Sequence, residues 1–205
     1  MIIKITGYDL AANSYIVCRY DVCFLVDPNQ QLDLINFHTK DKTIIGIILT
    51  HAHSDHLGLI AKFNVPIYLH HLELELLKNH QSNGYLKPSV MLDLRRLNFQ
   101  SIKDSDKLQL ADKLIEVIHT PGHTKGSICL LYDDCLLTGD TIFKMSVGRH
   151  DLYSGNLFEL KKSVLKILSL KSSFKIYPGH DENTTIREEK KTNPFYLNWI
   201  KQRKK

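Results

Sequence analysis

The sequence predicts an α+β protein in which sheet layers are covered by helices. Two observations carry this. Short β-branched and aromatic runs, bounded by Asp, Asn, Gly and Pro, recur along the chain up to residue 138. Helical spacing is confined to brief stretches between those runs and to the last third. There, residues 157–170 place Leu160, Val164, Ile167 and Leu168 on one face and Lys161, Lys162 and Lys166 on the other, the solvated one.

Taken in order, residues 2–7, 14–19, 22–27 and 43–50 read as strands, with Asp27-Pro28-Asn29 and Asp41-Lys42 as breakers. Residues 31–37 have helical spacing, 55–63 are expected to open a helix, and 66–70 form another strand. Residues 71–79 place Leu72, Leu76 and Leu77 on one helical face. Weak periodicity makes 81–105 a variable insertion. Strands follow at 108–110, 113–119, 127–132 and 135–138. After the amphipathic helix come a buried strand at 174–177 and a helix at 186–202, interrupted near Pro194. No linker divides the 205 residues, so 1–205 reads as one domain.

Composition narrows the function. No run of about 18 apolar residues predicts a membrane span, and no secretory signal is visible, so a cytoplasmic location is expected. Cys18 and Cys23 flank a hairpin turn across which pairing is geometrically conceivable. With no export signal, these two, Cys129 and Cys135 are read as buried thiols in a reducing compartment. The net charge is +5, but Lys201, Arg203, Lys204 and Lys205 supply four of it. The body therefore carries no basic excess that would recruit nucleic acid.

The chemistry concentrates in His51-Ala52-His53-Ser54-Asp55-His56, at the end of an apolar run. Imidazoles and a carboxylate crowded together suit zinc, iron or manganese, and more than one ion. Three later sites repeat one arrangement, a strand and then a glycine turn bearing a ligand type. These are His123 after Pro121-Gly122, Asp140 after Gly139, and His180 after Gly179. Seven ligands are thus proposed: His51, His53, Asp55, His56, His123, Asp140 and His180. Such a set suits binuclear hydrolysis, in which one ion polarises the scissile group and a hydroxide held between both attacks it. Asp140 is the natural bridge, because a carboxylate can offer one oxygen to both ions. Isolated histidines, His38, His70, His71, His80 and His150, are assigned to structural niches or surface, and His119 to a structural role beside His123.

These motifs resemble the metallo-β-lactamase superfamily, whose pattern is H-x-H-x-D-H followed by a His, a Gly-Asp and a final Gly-His. Within it the chain looks closest to short glyoxalase II-like hydrolases. The resembling stretches are Val26-Asp27-Pro28, His119-Thr120-Pro121-Gly122-His123-Thr124, Thr138-Gly139-Asp140-Thr141-Ile142-Phe143, Gly148-Arg149, Pro178-Gly179-His180 and Thr192-Asn193-Pro194-Phe195. The resemblance implies a four-layer αββα sandwich with two divalent ions, zinc foremost, at one edge between the sheets. His51, His53 and His123 would hold the first ion, Asp55, His56 and His180 the second, and Asp140 both. Asp55 and Asp140 would be the catalytic carboxylates, and Asp27 would steady the histidine loop.

The implied substrate is a small thioester of the S-acylglutathione type, with Arg149 where the family places a basic glutathione contact. Asp151 replaces a Tyr of the full-length enzymes, and the chain ends soon after Phe195, without their helical C-terminal domain. Two alternatives remain: a phosphodiesterase or ribonuclease on the same site, and a persulfide dioxygenase with one iron.

Overall fold

The computed structural model describes residues 1–8, 12–79 and 93–202. One six-stranded sheet orders β1 (Ile2–Ile5), β2 (Ser14–Arg19), β3 (Val22–Val26), β4 (Thr43–Ile48), β5 (Ile67–His70) and β6 (Phe99–Ile102). Its first three strands are antiparallel and β3 to β6 are parallel. The second sheet contains β7 (Lys107–Leu110), β8 (Lys113–His119), β9 (Ile128–Tyr132), β10 (Cys135–Gly139), β13 (Lys175–Pro178) and β14 (Thr184–Thr185). It is antiparallel except where β10 pairs with β13. Between them in sequence, β11 (Ile142–Phe143) and β12 (Ser146–Val147) form a hairpin.

Strand alternation sorts the buried residues into three cores, and three cores make four layers. Tyr15, Val17, Phe24, Val26 and Ile48 of the first sheet meet Ile115, Val117, Ile128, Leu130 and Leu137 of the second, forming the core between sheets. Their neighbours Ile16, Cys18, Cys23, Leu25 and Ile47 point the other way. They pack with Ile35 of helix α1 (Leu32–Thr39) and with Leu76 and Leu77 of α2 (Glu73–Lys78). On the far side, Ile118, Cys129, Leu136 and Ile176 pack beneath helix α3 (Leu157–Leu168), with Ile186 of α4 (Ile186–Thr192) and Trp199 of α5 (Pro194–Gln202). The αββα sandwich therefore follows from the period-2 pattern of both sheets. Among the described residues no helix is long and apolar enough to cross a membrane.

Three expectations need correction. Residues 55–63 form two single turns, Ser54–His56 and Ile60–Lys62, in place of a helix. The bond a helix would make from Leu59 N to Asp55 O is replaced at both ends. Leu59 N donates to Pro28 O (2.9 Å), and Asp55 O accepts Ala12 N (3.2 Å). Gly58 also lies against Asn29, where a Cβ would come within 2.4 Å of its carbonyl.

The expected insertion at 81–105 lies partly outside the described residues, but its end is an ordered edge strand, β6, paired in parallel with β5. The interruption expected near Pro194 is present: Asn193 leaves helical geometry before it and divides 186–202 into two helices. Finally, Cys18 and Cys23 are disulfide-bonded, while Cys129 and Cys135 are free and buried. The register of β2 and β3 sets the two bonded cysteines directly opposite each other, with Cα atoms 4.2 Å apart.

Candidate metal centre

Parallel strand direction brings the ligand types to one edge. β3 ends at Val26 before Asp27, and parallel β4 ends just before Thr50 and His51. In the other sheet β8 leads to His123, β10 to Asp140 and β13 to His180, all three running the same way. Thr50 O accepts the Ile128 amide at 2.9 Å, which ties the two sheets together at that edge.

All seven predicted residues meet here. Donor atoms of His51, His53 and His123 lie within 4.8 Å of one another, as do those of Asp55, His56 and His180, and those of His51, His56 and Asp140. His123 Nε2 is 3.1 Å from His51 Nε2 and 2.8 Å from His53 Nδ1. Asp140 faces both groups, with Oδ1 3.5 Å from His56 Nε2, and Oδ2 3.5 Å from His123 Nε2 and 3.6 Å from His180 Nε2. Asp55 Oδ2 lies 3.2 Å from His180 Nε2 and 3.7 Å from His56 Nε2.

This arrangement fits metal ions. Two nitrogens on one tetrahedral zinc at about 2.1 Å stand roughly 3.4 Å apart, close to the spacings above. His56 Nε2 and Asp140 Oδ1 are buried without any hydrogen-bond partner, a cost that a shared cation removes. The protonation preferences agree. Burial, reinforced by the neighbouring histidines, pushes His51 well below the usual imidazole range and His53 down to about 4. Burial opposes charge on His56 as well, but Asp27, Asp55 and Asp140 outweigh it and hold its pKa well above the usual value. Against the same burial cost, His56, His123 and His180 keep Asp140 ionised far below the ordinary carboxylate range. Despite burial, His56 and then His180 lower Asp55, and Asp55 and then Asp140 raise His180. His51 and His53 thus offer unprotonated electron-pair donors, while the carboxylates draw onto His56 and His180 the positive charge of a proton that a metal ion would replace.

Hydrogen bonds behind the donors select the tautomers. Asp27, 1% exposed and at φ 49°, accepts Thr50 N (2.8 Å) on Oδ1. Its Oδ2 accepts Thr50 Oγ1 (2.6 Å) and His56 Nδ1 (2.9 Å). His51 Nδ1 in turn lies 3.1 Å from Thr50 Oγ1. Asp27 thus holds protons on the far nitrogens of His56 and, through Thr50, of His51, turning both Nε2 atoms inward. The backbone carbonyl of Arg149 does the same for His123 Nδ1 at 2.8 Å. Gly179 makes room for the shared carboxylate, since a Cβ there would stand 2.2 Å from Asp140 Oδ1.

Arg149, the predicted substrate contact, pairs its guanidinium with Asp151 at 3.0 and 3.1 Å on the surface. It lines a pocket of about 310 Å³ with Val147, Gly148, His150, Asp151 and Phe195. Lys144 and Tyr153 hydrogen-bond to Glu182 and Glu75 rather than to the donor cluster. His70 stacks on His119 and packs at a tilt against His71, outside the donor cluster. Thr50 and the Arg149 carbonyl escaped sequence reasoning. Thr50 at least adjoins His51, whereas nothing local marks a backbone oxygen.

A family model described as the metallo-beta-lactamase superfamily matches residues 7–180. The probable metallo-hydrolase YqgX of Bacillus subtilis is 32% identical over 91% of this chain and 92% of its own length. The probable metallo-hydrolase MJ0888 of Methanocaldococcus jannaschii is 34% identical over 89% and 93%. Among solved structures, the chain is similar to the BLEG-1 B3 metallo-beta-lactamase, with a TM-score of 0.82, 30% identity, and 96% and 99% of the two chains covered. It is also similar to TTHA1623 in a di-iron-bound form, with a TM-score of 0.80, 30% identity, and 94% and 99% covered.

Proposed function

Because the chain belongs to the metallo-β-lactamase superfamily and is a metal-dependent hydrolase, we propose that it cleaves a small thioester of the S-acylglutathione type. The observation that carries this reading is the donor set itself. Two groups of three ligands face one shared carboxylate, and no lysine, tyrosine or arginine side chain among the described residues hydrogen-bonds to any of the seven. A site without a ready general acid suits a leaving group that departs as an anion, as a thiolate does.

His51, His53 and His123 would hold one ion, Asp55, His56 and His180 the other, and Asp140 would span both. When bound, such ions polarise a carbonyl oxygen and bring the pKa of water toward neutrality. The chain's own residues supply geometry and proton control. Asp27, Thr50 and the Arg149 carbonyl keep three imidazoles in the ligating tautomer. Asp55 has the more exposed side chain of the two site carboxylates, 35% against 10% for Asp140, and would take a proton from attacking water. The pocket beside Arg149 and Phe195 adjoins His123 and would receive the thiol half of the substrate, its basic side chain meeting a carboxylate there.

Zinc is the proposed metal, and the di-iron form of TTHA1623 makes iron the second reading. The similarity to BLEG-1 likewise makes lactam cleavage a second reading for the substrate. The deciding experiment is a panel of S-lactoylglutathione, a lactam and a phosphodiester, run on protein of measured metal content. Thioester turnover lost to chelator and restored by zinc is expected. Metal-replete protein that turns over no thioester would overturn the proposal.

A further inference from the structure

Two buried polar side chains outside the ligand set are tied to the loops that carry it. Glu73, the first residue of α2, is 1% exposed. Its Oε2 accepts the amide of Ala52, the residue between His51 and His53, at 2.8 Å. Its Oε1 accepts the amide of Gly126, three residues beyond His123, at 2.7 Å. One carboxylate therefore joins the loop of the first sheet to the loop of the second. A Cβ on Gly126 would come within 2.7 Å of Glu73 Oε1, so the contact is close as well as bonded. Burying a carboxylate is costlier than burying an amide. What it uniquely supplies is two acceptor oxygens, where glutamine has only one.

Asn13, 2% exposed, makes the corresponding link on the other side. Its backbone N–H, which Asn13→Ala retains, donates to Gly179 O at 2.6 Å, and its side-chain Nδ2 donates to Pro178 O at 3.0 Å and Asp181 O at 3.1 Å. These three carbonyls bracket His180. The adjacent Ala12 amide donates to Asp55 O at 3.2 Å, which brings the second half's carboxylate into the same brace. Among the described residues, the side-chain hydrogen bonds of Glu73 run to the His51–His53 and His123 loops, and those of Asn13 to the N-terminal segment and the His180 loop.

We propose that Glu73 and Asn13 are positioning residues that set the two halves of the metal centre separately. Glu73 fixes the loops of His51, His53 and His123. Asn13, with Ala12, fixes those of His180 and Asp55. This rests on the assignment of two ions to those halves, and each brace acts through the backbone, touching no ligand side chain.

The test is zinc binding by the full-length chain, measured by competition with a chromophoric chelator. Reference variants His53→Ala and His180→Ala identify which of two binding constants belongs to which half. Glu73→Gln should weaken the constant that His53→Ala abolishes by on the order of 10- to 100-fold and leave the other in place. Asn13→Ala should do the reverse. Melting of the zinc-free variants reports folding, and where either is unfolded, the milder Gly126→Ala and Asn13→Ser are read by the same two constants. Equal loss of both constants in each variant would overturn the proposal. So would unchanged constants in a variant whose melting temperature has dropped, since that is the signature of a purely structural contact. Zinc affinity is read without substrate, so failure to cleave thioesters would refute the proposed function and leave this outcome unaffected.

Discussion

Replacing Asp27 by Asn tests whether the protons behind the metal ligands are held where the structure puts them. Asp27 accepts from three donors: Thr50 N at 2.8 Å, Thr50 Oγ1 at 2.6 Å and His56 Nδ1 at 2.9 Å. Asn keeps one acceptor, which Thr50 N retains, and sets an NH2 group against the other two donors. A ligating His56 carries its only proton on Nδ1, so in Asp27→Asn that proton meets a donor. The Thr50 hydroxyl can turn to accept from the amide, but it then donates towards His51 Nδ1, 3.1 Å away, and opposes the ligating tautomer there too. Each affected ligand should cost on the order of 10- to 100-fold in metal affinity, which is about 1.4 to 2.8 kcal/mol. Backbone strain is not the cause, because Asn tolerates the left-handed φ of 49° as Asp does. The zinc-free variant should accordingly melt well above Asp27→Ala, in which three donors lose their acceptor at about 1–3 kcal/mol apiece. Zinc titration calorimetry gives the affinities, and long-range 1H–15N spectra of the histidine rings give the tautomers. Wild-type affinity, with Nδ1–H retained on both rings, would refute the reasoning.

Gly179→Ala should displace the Asp140 carboxylate, 2.2 Å from the new Cβ. A shift near 1 Å there should lower kcat by about 100-fold, and steady-state kinetics with a wild-type rate would show that the contact is not tight. Burial, aided by His119 and His71, holds His70 near a pKa of about 4, against an ordinary 6.5. Between those values the unfolded chain binds a proton that the folded chain refuses. Stability should therefore fall as pH drops from 6.5 towards 4, and His70→Gln should lack that component in urea unfolding. A wild-type and variant difference that stays flat across this window would be the contrary result. The Cys18–Cys23 bond closes a short loop, so its reduction should cost about 2 kcal/mol in urea unfolding. Aerobically purified protein, denatured, should titrate two thiols, Cys129 and Cys135, and four after reductant. Four from the start would contradict the bonded pair.

What the sequence could and could not disclose divides by the kind of bond involved. The donor residues stand out because each follows an apolar run, usually through a glycine turn, and their identities state their chemistry. The sandwich is legible for a related reason: alternate residues of β2, β3, β8 and β9 enter different cores, and period 2 is a local pattern. The failures are cases where the pairing of one segment with another decides the outcome. A helix at 55–63 looks reasonable until Pro28 takes the Leu59 amide and Ala12 takes the Asp55 carbonyl. The strand at Phe99–Ile102 is hidden because it is an edge strand with one fully buried residue, so no alternation marks it. The cysteine pairing depended on the β2–β3 register, which no single residue reports.

The same division explains how the centre is built. Its ligands are side chains on strand ends, but beyond Asp27 and Thr50 the parts that aim them are main-chain contacts: Ala52 and Gly126 to Glu73, the 178–181 carbonyls to Asn13, and the Arg149 carbonyl to His123. A substitution at Arg149 that keeps the backbone in place should therefore leave metal binding intact and affect substrate alone. Arg149→Ala should raise KM for an anionic thioester while zinc stoichiometry, read by elemental analysis, is unchanged. A loss of zinc in Arg149→Ala would mean that the guanidinium–Asp151 pair holds the carbonyl in position, and that the two roles of this residue are not separable.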